Sequence, residues 1–134
     1  MGVPSTNNGL YQPFTPQGWP YNDSPTFHEL VDTGLTDGNL SVIGPTAVAA
    51  PRNRGNDQQG INGFTWYWNG PAGAAWLYNP TLDGGTFISY MDSRAVVERA
   101  QLVNGRHLRG LWAWEVSQDD NANDLIEAMT SGPG

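Results

Sequence analysis

The sequence changes character at Asp92, and this change limits the possible architectures more than any other feature. Before Asp92, Gly and Pro interrupt the chain every few residues, and the aromatic segment FTWYWN at 64–69 alternates as a strand does. After it, SRAVVERAQLVNG predicts a helix with Asp92 as its N-cap and Gly105 as its stop. One face of that helix carries the apolar residues Val96, Ala100 and Val103.

Residues 9 to 91 have the patterns of a small α+β unit. In SPTFHELVDTG, Ser24 as cap, Pro25 at the first helical position and Gly34 as stop predict a short amphipathic helix. Residues 35–63 predict a strand or two followed by a polar loop. AAWLYNP and GTFISY predict a β-hairpin across TLDGG. We therefore expect a small mixed or antiparallel sheet with one helix.

The segment after Gly105 predicts a hydrophobic strand and a final helix. LRGLWAWEVS is the strand and NDLIEAM the helix, so the order helix–strand–helix is that of a β/α repeat. The polar stretch between them predicts a cap through Asn121 or Asn123. A calcium loop is the alternative, but Asp124 and Thr130 occupy the positions of its turn glycine and bidentate glutamate. We expect no metal site.

The charge balance excludes several classes of partner. Six arginines and no lysine stand against thirteen carboxylates, giving a net charge of -7. Nucleic acid and anionic membrane are therefore not expected, whereas a neutral or cationic ligand suits the surface. The chain has no cysteine, and His28 and His107 lack ligand spacing, so no cofactor is expected. It has no apolar run of membrane-spanning length and no charged-then-apolar leader at Met1, so we expect neither a membrane span nor a signal peptide in this chain.

Glu115 with Asp119 or Asp120 is the obvious carboxylate pair for glycoside hydrolysis. On a strand, however, Trp112 and Trp114 point to the opposite side from Glu115. Glu115 would then face packing helices, where Arg99 or Arg106 could pair with it. We assign no catalytic residue, and the remaining candidates are tryptophans, whose faces stack on sugar rings. At least three of the six tryptophans are expected in the core.

Several segments together resemble the C-terminal part of a glycoside hydrolase family 18 chitinase. They are NNGLYQPF, AAWLYNP, TFISYMDSRAVVERAQLVNGRHLRGLWAWEVSQDD and DLIEAM. The resemblance implies a chitinase insertion domain followed by the closing portion of a (β/α)8 TIM barrel. Met91 departs from the family, which usually has Asp there. The implied units are 3–91 for the insertion domain, 92–130 for the barrel portion and 131–134 for a tail, with 109–117 as the eighth strand.

The resemblance also implies a function. The family hydrolyses β-1,4-linked N-acetylglucosamine polymers by a substrate-assisted retaining mechanism, in which the acetamido carbonyl attacks the anomeric carbon and a glutamate protonates the leaving oxygen. That glutamate ends an Asp-x-x-Asp-x-Asp-x-Glu motif, which this chain lacks. Trp114 matches the cleft-floor tryptophan, and Trp66 and Trp68 are candidates for the deep wall.

The implied partners are chitin or chitooligosaccharide and the remainder of the barrel, since 134 residues cannot close a barrel of about 250. The parent protein would be a secreted enzyme, and this chain would be inactive alone. Two alternatives stay open: a standalone carbohydrate-binding module, and a non-catalytic scaffold or partner-binding domain.

Overall fold

A computed structural model describes residues 8–13, 20–50 and 56–131. Its regular elements are three strands and two α-helices, with shorter helical turns between them. The predicted tail at 131–134 lies outside the described residues except for Ser131, and so do the first seven residues. The elements are β1 (Thr65–Asn69), β2 (Ala74–Asn79), β3 (Thr86–Tyr90), α1 (Ser93–Gly105) and α2 (Asp124–Thr130).

The first predicted helix forms, but its cap lies two residues later than expected. Helical residues begin at Phe27 and continue as a π-helix over Glu29–Thr33. Thr26, rather than Ser24, caps it: the Thr26 hydroxyl accepts from the Glu29 N–H at 3.2 Å, and the Glu29 carboxylate accepts from the Thr26 N–H at 2.7 Å. This is a reciprocal capping box. Gly34, with a φ of 97°, ends the turn as predicted.

In the described part of this segment, residues 35–50 and 56–63, the predicted strands do not form, so the expectation was wrong there. These residues form isolated bridges that pair Thr36 with Val42 and Val48 with Gly60. At Gly44, a Cβ would come within 2.6 Å of the Tyr21 ring. The chain therefore turns closely around core residues instead of extending along a neighbour.

The sheet is antiparallel, with strand order β1-β2-β3. In its register Trp66, Leu77 and Ile88 are cross-strand partners and share one face. That face covers the hydrophobic core, in which Leu77 is fully buried. The core also contains Tyr21, Phe27, Leu30, Val31, Leu35, Ala47, Val48, Phe64 and Ile88. The predicted hairpin and the strand at 64–69 are both confirmed.

Two carboxylates hold the beginning of α1. The Asp92 carboxylate accepts from the Ala95 N–H at 2.8 Å, which confirms the predicted cap. Asp57, distant in sequence and fully buried, accepts from the Ser93 hydroxyl at 2.8 Å. Carboxylates at a helix N-terminus satisfy free N–H groups and oppose the helix dipole. They fix the start of α1 against the end of β3.

The strand predicted over 109–117 is absent, which corrects the expected helix–strand–helix order. Residues 109–115 follow an irregular path, and Val116–Gln118 form a 3-10 turn. Within the described ranges, the backbone of 109–114 makes no hydrogen bond. A strand needs a paired neighbour, and this segment pairs with neither edge strand of the sheet, β1 or β3. The architecture is therefore a small α+β unit with one three-stranded antiparallel sheet.

No helix in the described part of the chain combines the length and the apolar character needed to cross a membrane.

Candidate functional site

Two tryptophans of the segment 109–117 stand on the surface side by side. The ring centroids of Trp112 and Trp114 are 6.4 Å apart, with 32° between their planes. Their side chains are 81% and 76% exposed. Large aromatic faces of this kind are normally buried, so an exposed pair marks a surface that can bind an apolar or ring-shaped partner.

The tryptophan pair borders a groove of about 460 Å³, which we call the tryptophan groove. It lies where the end of β3, α1, α2 and the first helical turn meet the segment 111–119. Its size is within the range of ordinary small-ligand sites. Apolar side chains dominate its lining, including Phe27, Tyr90, Met91, Val96, Leu125 and Met129.

Trp66 and Trp68 lie elsewhere, so the structure does not bring the three predicted binding tryptophans together. Both are on β1, stacked at 6.2 Å with 13° between their planes. The indole N–H of Trp66 donates to Asp92 at 3.1 Å, and the Arg94 guanidinium lies 4.2 Å above the Trp68 ring. Neither tryptophan is among the described residues that line the tryptophan groove. Each has a packing role beside the N-terminus of α1.

Glu115 lines the tryptophan groove as an exposed carboxylate. The ion pair expected with Arg99 or Arg106 does not form, and Glu115 has no ion-pair partner among residues 8–13, 20–50 and 56–131. The Arg99 guanidinium instead donates to the carbonyls of Ala95 at 2.9 Å and Gly73 at 3.3 Å. Because 109–117 is not a strand, side chains do not alternate along it, and the prediction that Glu115 faces away from the tryptophans has no basis in the backbone.

Asp119 and Asp120 cap α2, which corrects the cap expected from Asn121 or Asn123. The Asp119 carboxylate accepts from the N–H groups of Leu125 at 3.2 Å and Ile126 at 3.0 Å. Asp120 accepts from the Asp124 N–H at 2.9 Å. Asn123 has left-handed backbone, with a φ of 60°, and its side chain forms no cap. Both aspartates are thus engaged with the backbone.

Several carboxylates crowd around the start of α2, and the pKa values of two of them, Asp120 and Asp124, are raised. Burial, followed by repulsion from Asp120 and Asp57, raises the pKa of Asp124 to about 6. Burial raises the pKa of Asp120 as well, and the neighbouring Asp119 adds to it. One oxygen of Asp124, Oδ2, is buried without a hydrogen-bond partner. Protonated Asp124 is therefore favoured in the folded chain near pH 5.

The described part of the chain has no group of three His, Asp or Glu side chains that could hold a metal ion. His28 pairs with Asp32, with 2.9 Å between Nδ1 and Oδ2, and Asp32 also accepts from the Asn121 N–H at 2.8 Å. This links the first helical turn to the loop before α2. His107 ends the turn after α1 with a φ of 53°.

The sequence patterns identified neither Asp57 as a buried carboxylate at the start of α1 nor Met91 as a residue that lines the tryptophan groove. Asp57 lies in a polar, Gly-rich segment, where no periodic pattern points to burial. In the sequence, Met91 stood out only because the family usually has Asp at this position. In the structure, Met91 lines the tryptophan groove and is 45% exposed.

Comparison with known proteins found chitinases, although no family model matches the chain. It is 32% identical over 78 residues to chitinase A of Pseudoalteromonas piscicida, covering 58% of this chain and 9% of that protein. Chitinase A1 of Niallia circulans is 38% identical over 60 residues, covering 45% of this chain and 8% of the relative. Chitinase B of Serratia marcescens is 26% identical over 129 residues, covering 96% of this chain and 24% of the relative.

Comparison with solved structures gave matches at partial coverage. Chitinase ChiW from Paenibacillus sp. str. FPU-7 matches with a TM-score of 0.48 and 38% identity, covering 52% of this chain and 8% of that one. A glycoside hydrolase family 18 N-acetylglucosaminidase from Paenibacillus barengoltzii matches with a TM-score of 0.46 and 35% identity, covering 54% and 20%. The chain spans less than a quarter of each relative. At this modest identity, the curated relatives support its identification as a chitinase fragment.

Proposed function

We propose that this chain is the C-terminal part of a secreted chitinase that hydrolyses β-1,4-linked N-acetylglucosamine polymers with retention of configuration. In this proposal the chain supplies the wall and floor of the substrate cleft, and the remainder of the barrel supplies the glutamate that acts as the catalytic acid. Residues 3–91 are the insertion domain and 92–130 the closing portion of the barrel. The chain's similarity to parts of several chitinases supports the assignment.

The unpaired segment 109–117 supports a role within a larger sheet. The backbone of 109–114 makes no backbone–backbone hydrogen bond within the described residues, and the side chains of Trp112, Trp114 and Val116 are exposed. Backbone without hydrogen-bond partners, beside exposed apolar side chains, is typical of a surface that another part of a protein covers. We propose that the remaining strands of the parent barrel supply that neighbour.

One observation carries the sugar-binding part of the proposal: the exposed Trp112–Trp114 pair above a groove of about 460 Å³. The apolar face of an N-acetylglucosamine unit can stack on such a ring. If aromatic pairs are a guide, each contact contributes about 0.5–1.5 kcal/mol beyond burial of area. We place Trp114 under the sugar, while Trp66 and Trp68 remain predicted wall residues, with an indole N–H and a ring face already engaged within the protein.

No residue of this chain is proposed as the general acid. The substrate-assisted mechanism needs a protonated glutamate at the leaving oxygen, and the motif that carries it is absent from the sequence. Glu115 is exposed and lies outside any such motif, so it is not assigned the acid role. The chain alone is therefore expected to bind sugar without cleaving it.

Titration of N-acetylglucosamine tetramer against tryptophan fluorescence tests this function. The wild-type chain should give a saturable change, and Trp114→Ala should weaken binding about tenfold, since about 1.4 kcal/mol corresponds to that factor. Tyr11→Ala, which removes a fully exposed aromatic ring outside the groove, is the matched control and should bind like the wild type. Equal affinity of the Trp114 variant and the wild type would contradict the role of Trp114.

A standalone carbohydrate-binding module is the second candidate. It is favoured by the chain's own buried core, which includes Leu30, Leu35, Leu77 and Val48 and needs no barrel to form. The coding sequence upstream of Met1 separates the two: an Asp-x-x-Asp-x-Asp-x-Glu motif within about 200 residues indicates the enzyme. Its absence from that region indicates the module.

A further inference from the structure

A second cavity, of about 350 Å³, lies where α1 and α2 meet the turn at Asn56–Gln58. We call it the helix pocket, and its volume is within the range of small-ligand sites. Its main lining residues are Arg94, Val97, Glu98 and Gln101 of α1, Ala128 of α2 and Gln58 of the turn. Among the described residues, it shares no lining residue with the tryptophan groove. The two cavities are therefore separate.

The helix pocket lies on the side of α1 that faces away from segment 109–117. Val96 and Arg99 are the α1 residues that line the tryptophan groove together with 111–119. At about 3.6 residues per turn, the four α1 residues of the helix pocket are centred on the opposite face of the helix. A strand of the parent barrel that pairs with 109–117 therefore leaves the helix pocket open.

The helix pocket offers hydrogen-bonding groups without a net charge. The side-chain amides of Gln58 and Gln101 form no hydrogen bond with another described residue. Each can donate through its NH2 group and accept through its carbonyl oxygen. Arg94 and Glu98 pair with each other, with 3.6 Å between Nε and Oε1, so their charges offset. These groups favour a neutral ligand that both donates and accepts hydrogen bonds.

Methyl groups lie beside these polar groups. Val97 and Ala128 give the helix pocket an aliphatic part, and Ala128 is 2% exposed. An acetamido group is complementary to this lining, since it carries one methyl group, one N–H donor and one carbonyl acceptor. A hydroxyl group at the same position of a sugar has no methyl group to bury there. The lining thus favours an acetamido sugar over its hydroxyl analogue.

We infer that the helix pocket binds an N-acetylglucosamine unit of the polymer outside the cleft, with its acetamido methyl group against Val97 and Ala128 and its amide bonded to Gln58 and Gln101. This inference rests on the proposed function for the identity of the polymer, and it requires the same acetamido group as the substrate-assisted mechanism. A polymer that reaches both cavities is held more tightly than by either one alone. The helix pocket is therefore an anchoring site with no part in bond cleavage.

NMR titration with N-acetylglucosamine dimer tests the helix pocket directly. The side-chain amide signals of Gln58 and Gln101 report this pocket, and the indole N–H signals of Trp112 and Trp114 report the tryptophan groove. The two glutamine signals should shift saturably in the wild-type chain. In Trp114→Ala their dissociation constant should change less than about twofold, because the cavities are separate. The β-1,4-linked glucose dimer, which lacks the acetamido group, should leave both glutamine signals in place.

Gln101→Ala is the diagnostic variant for this pocket. Gln101 is exposed on α1, and alanine is the best helix former, so the variant should fold. Loss of one net hydrogen bond should weaken binding of the N-acetylglucosamine dimer about fivefold, measured at the Gln58 signals. Gln12→Ala removes an exposed side-chain amide outside both cavities and should bind like the wild type.

Three results would overturn the inference. One is a shift of the tryptophan indole signals while both glutamine signals stay in place, which leaves the proposed function standing. The others are an unchanged affinity of Gln101→Ala and an equal response of the glutamine signals to the glucose dimer. Shifts of the glutamine signals alone would support the helix pocket and contradict sugar binding at the tryptophan groove, so the two failures are distinguishable.

Discussion

Asp124→Asn should stabilise the chain at neutral pH and flatten its stability between pH 4 and 7. Asp124 begins α2 with a side chain that is 7% exposed, and its Oδ2 has no hydrogen-bond partner. Burial raises the pKa of Asp124 from 3.8 to about 6, and repulsion from Asp120, Asp57, Asp119 and Glu127 adds to it. The folded chain therefore binds the proton more tightly than the unfolded chain does.

The sign and the magnitude follow from this difference in pKa. A carboxyl whose folded pKa is raised contributes most stability below its unfolded pKa near 4, and that contribution is lost as the pH rises through about 6. About two pKa units correspond to about 3 kcal/mol of unfolding free energy between pH 4 and pH 7.5. Favourable interaction of the charged group with the helix N-terminus offsets up to about 1 kcal/mol of the gain from neutralisation. We expect Asp124→Asn to gain about 2 kcal/mol at pH 7.5.

Urea denaturation of both proteins at pH 4, 5, 6, 7 and 8 measures the effect, with circular dichroism as the signal. The difference between wild type and variant reports the charge of Asp124 together with its repulsion from Asp120, while Asp92, whose pKa burial also raises, titrates in both proteins. Glu98→Gln is the control for loss of one exposed charge and should change stability by less than about 0.5 kcal/mol. A variant no more stable than the wild type at pH 7.5 would refute the reasoning.

Two further substitutions test contacts that position the groove. Asp119→Ala removes the acceptors of the Leu125 and Ile126 N–H groups and should lower the unfolding free energy, measured by urea denaturation, by about 1–2 kcal/mol. Asn123→Ala should lower it less, because the Asn123 side chain forms no cap. Equal losses in the two variants would contradict the assignment of the cap to Asp119. Trp66→Phe keeps a ring on β1 but leaves Asp92 without the indole N–H donor, so the unfolding free energy should fall by about 1–2 kcal/mol. Thermal unfolding measures this loss, and an unchanged midpoint would show that the hydrogen bond contributes nothing.

Local patterns predicted the parts of the fold that depend on neighbours in sequence. The Asp92 cap acts on Ala95, three residues later, and the alternation of 64–69 predicted β1. Spacing shows that Trp66 and Trp68 share a face. It cannot show that this face is the one turned to the core, because that depends on the pairing with Leu77 and Ala75.

Contacts between residues that are far apart in sequence explain where the sequence-based predictions were wrong. The hydrophobic pattern of 109–117 matches a buried strand, but a strand forms only when it pairs with another strand. This segment lies unpaired beside a sheet that contains only β1, β2 and β3 among the described residues. Asp57 lies 36 residues before Ser93, which it caps, so no spacing rule reveals it. Glu115 was predicted to face helices because alternation was assumed, and the irregular backbone leaves it exposed in the groove with Trp114.

Saturation-transfer NMR on the chain with N-acetylglucosamine tetramer, followed for a day, tests the central claim most directly. The account predicts transfer of saturation to the protons on the apolar face of the sugar, with no new reducing-end signals, because the Trp112–Trp114 surface binds the sugar and the catalytic acid is absent. Absence of transfer would contradict sugar binding. Appearance of shorter oligosaccharides would contradict the claim that this chain lacks the acid.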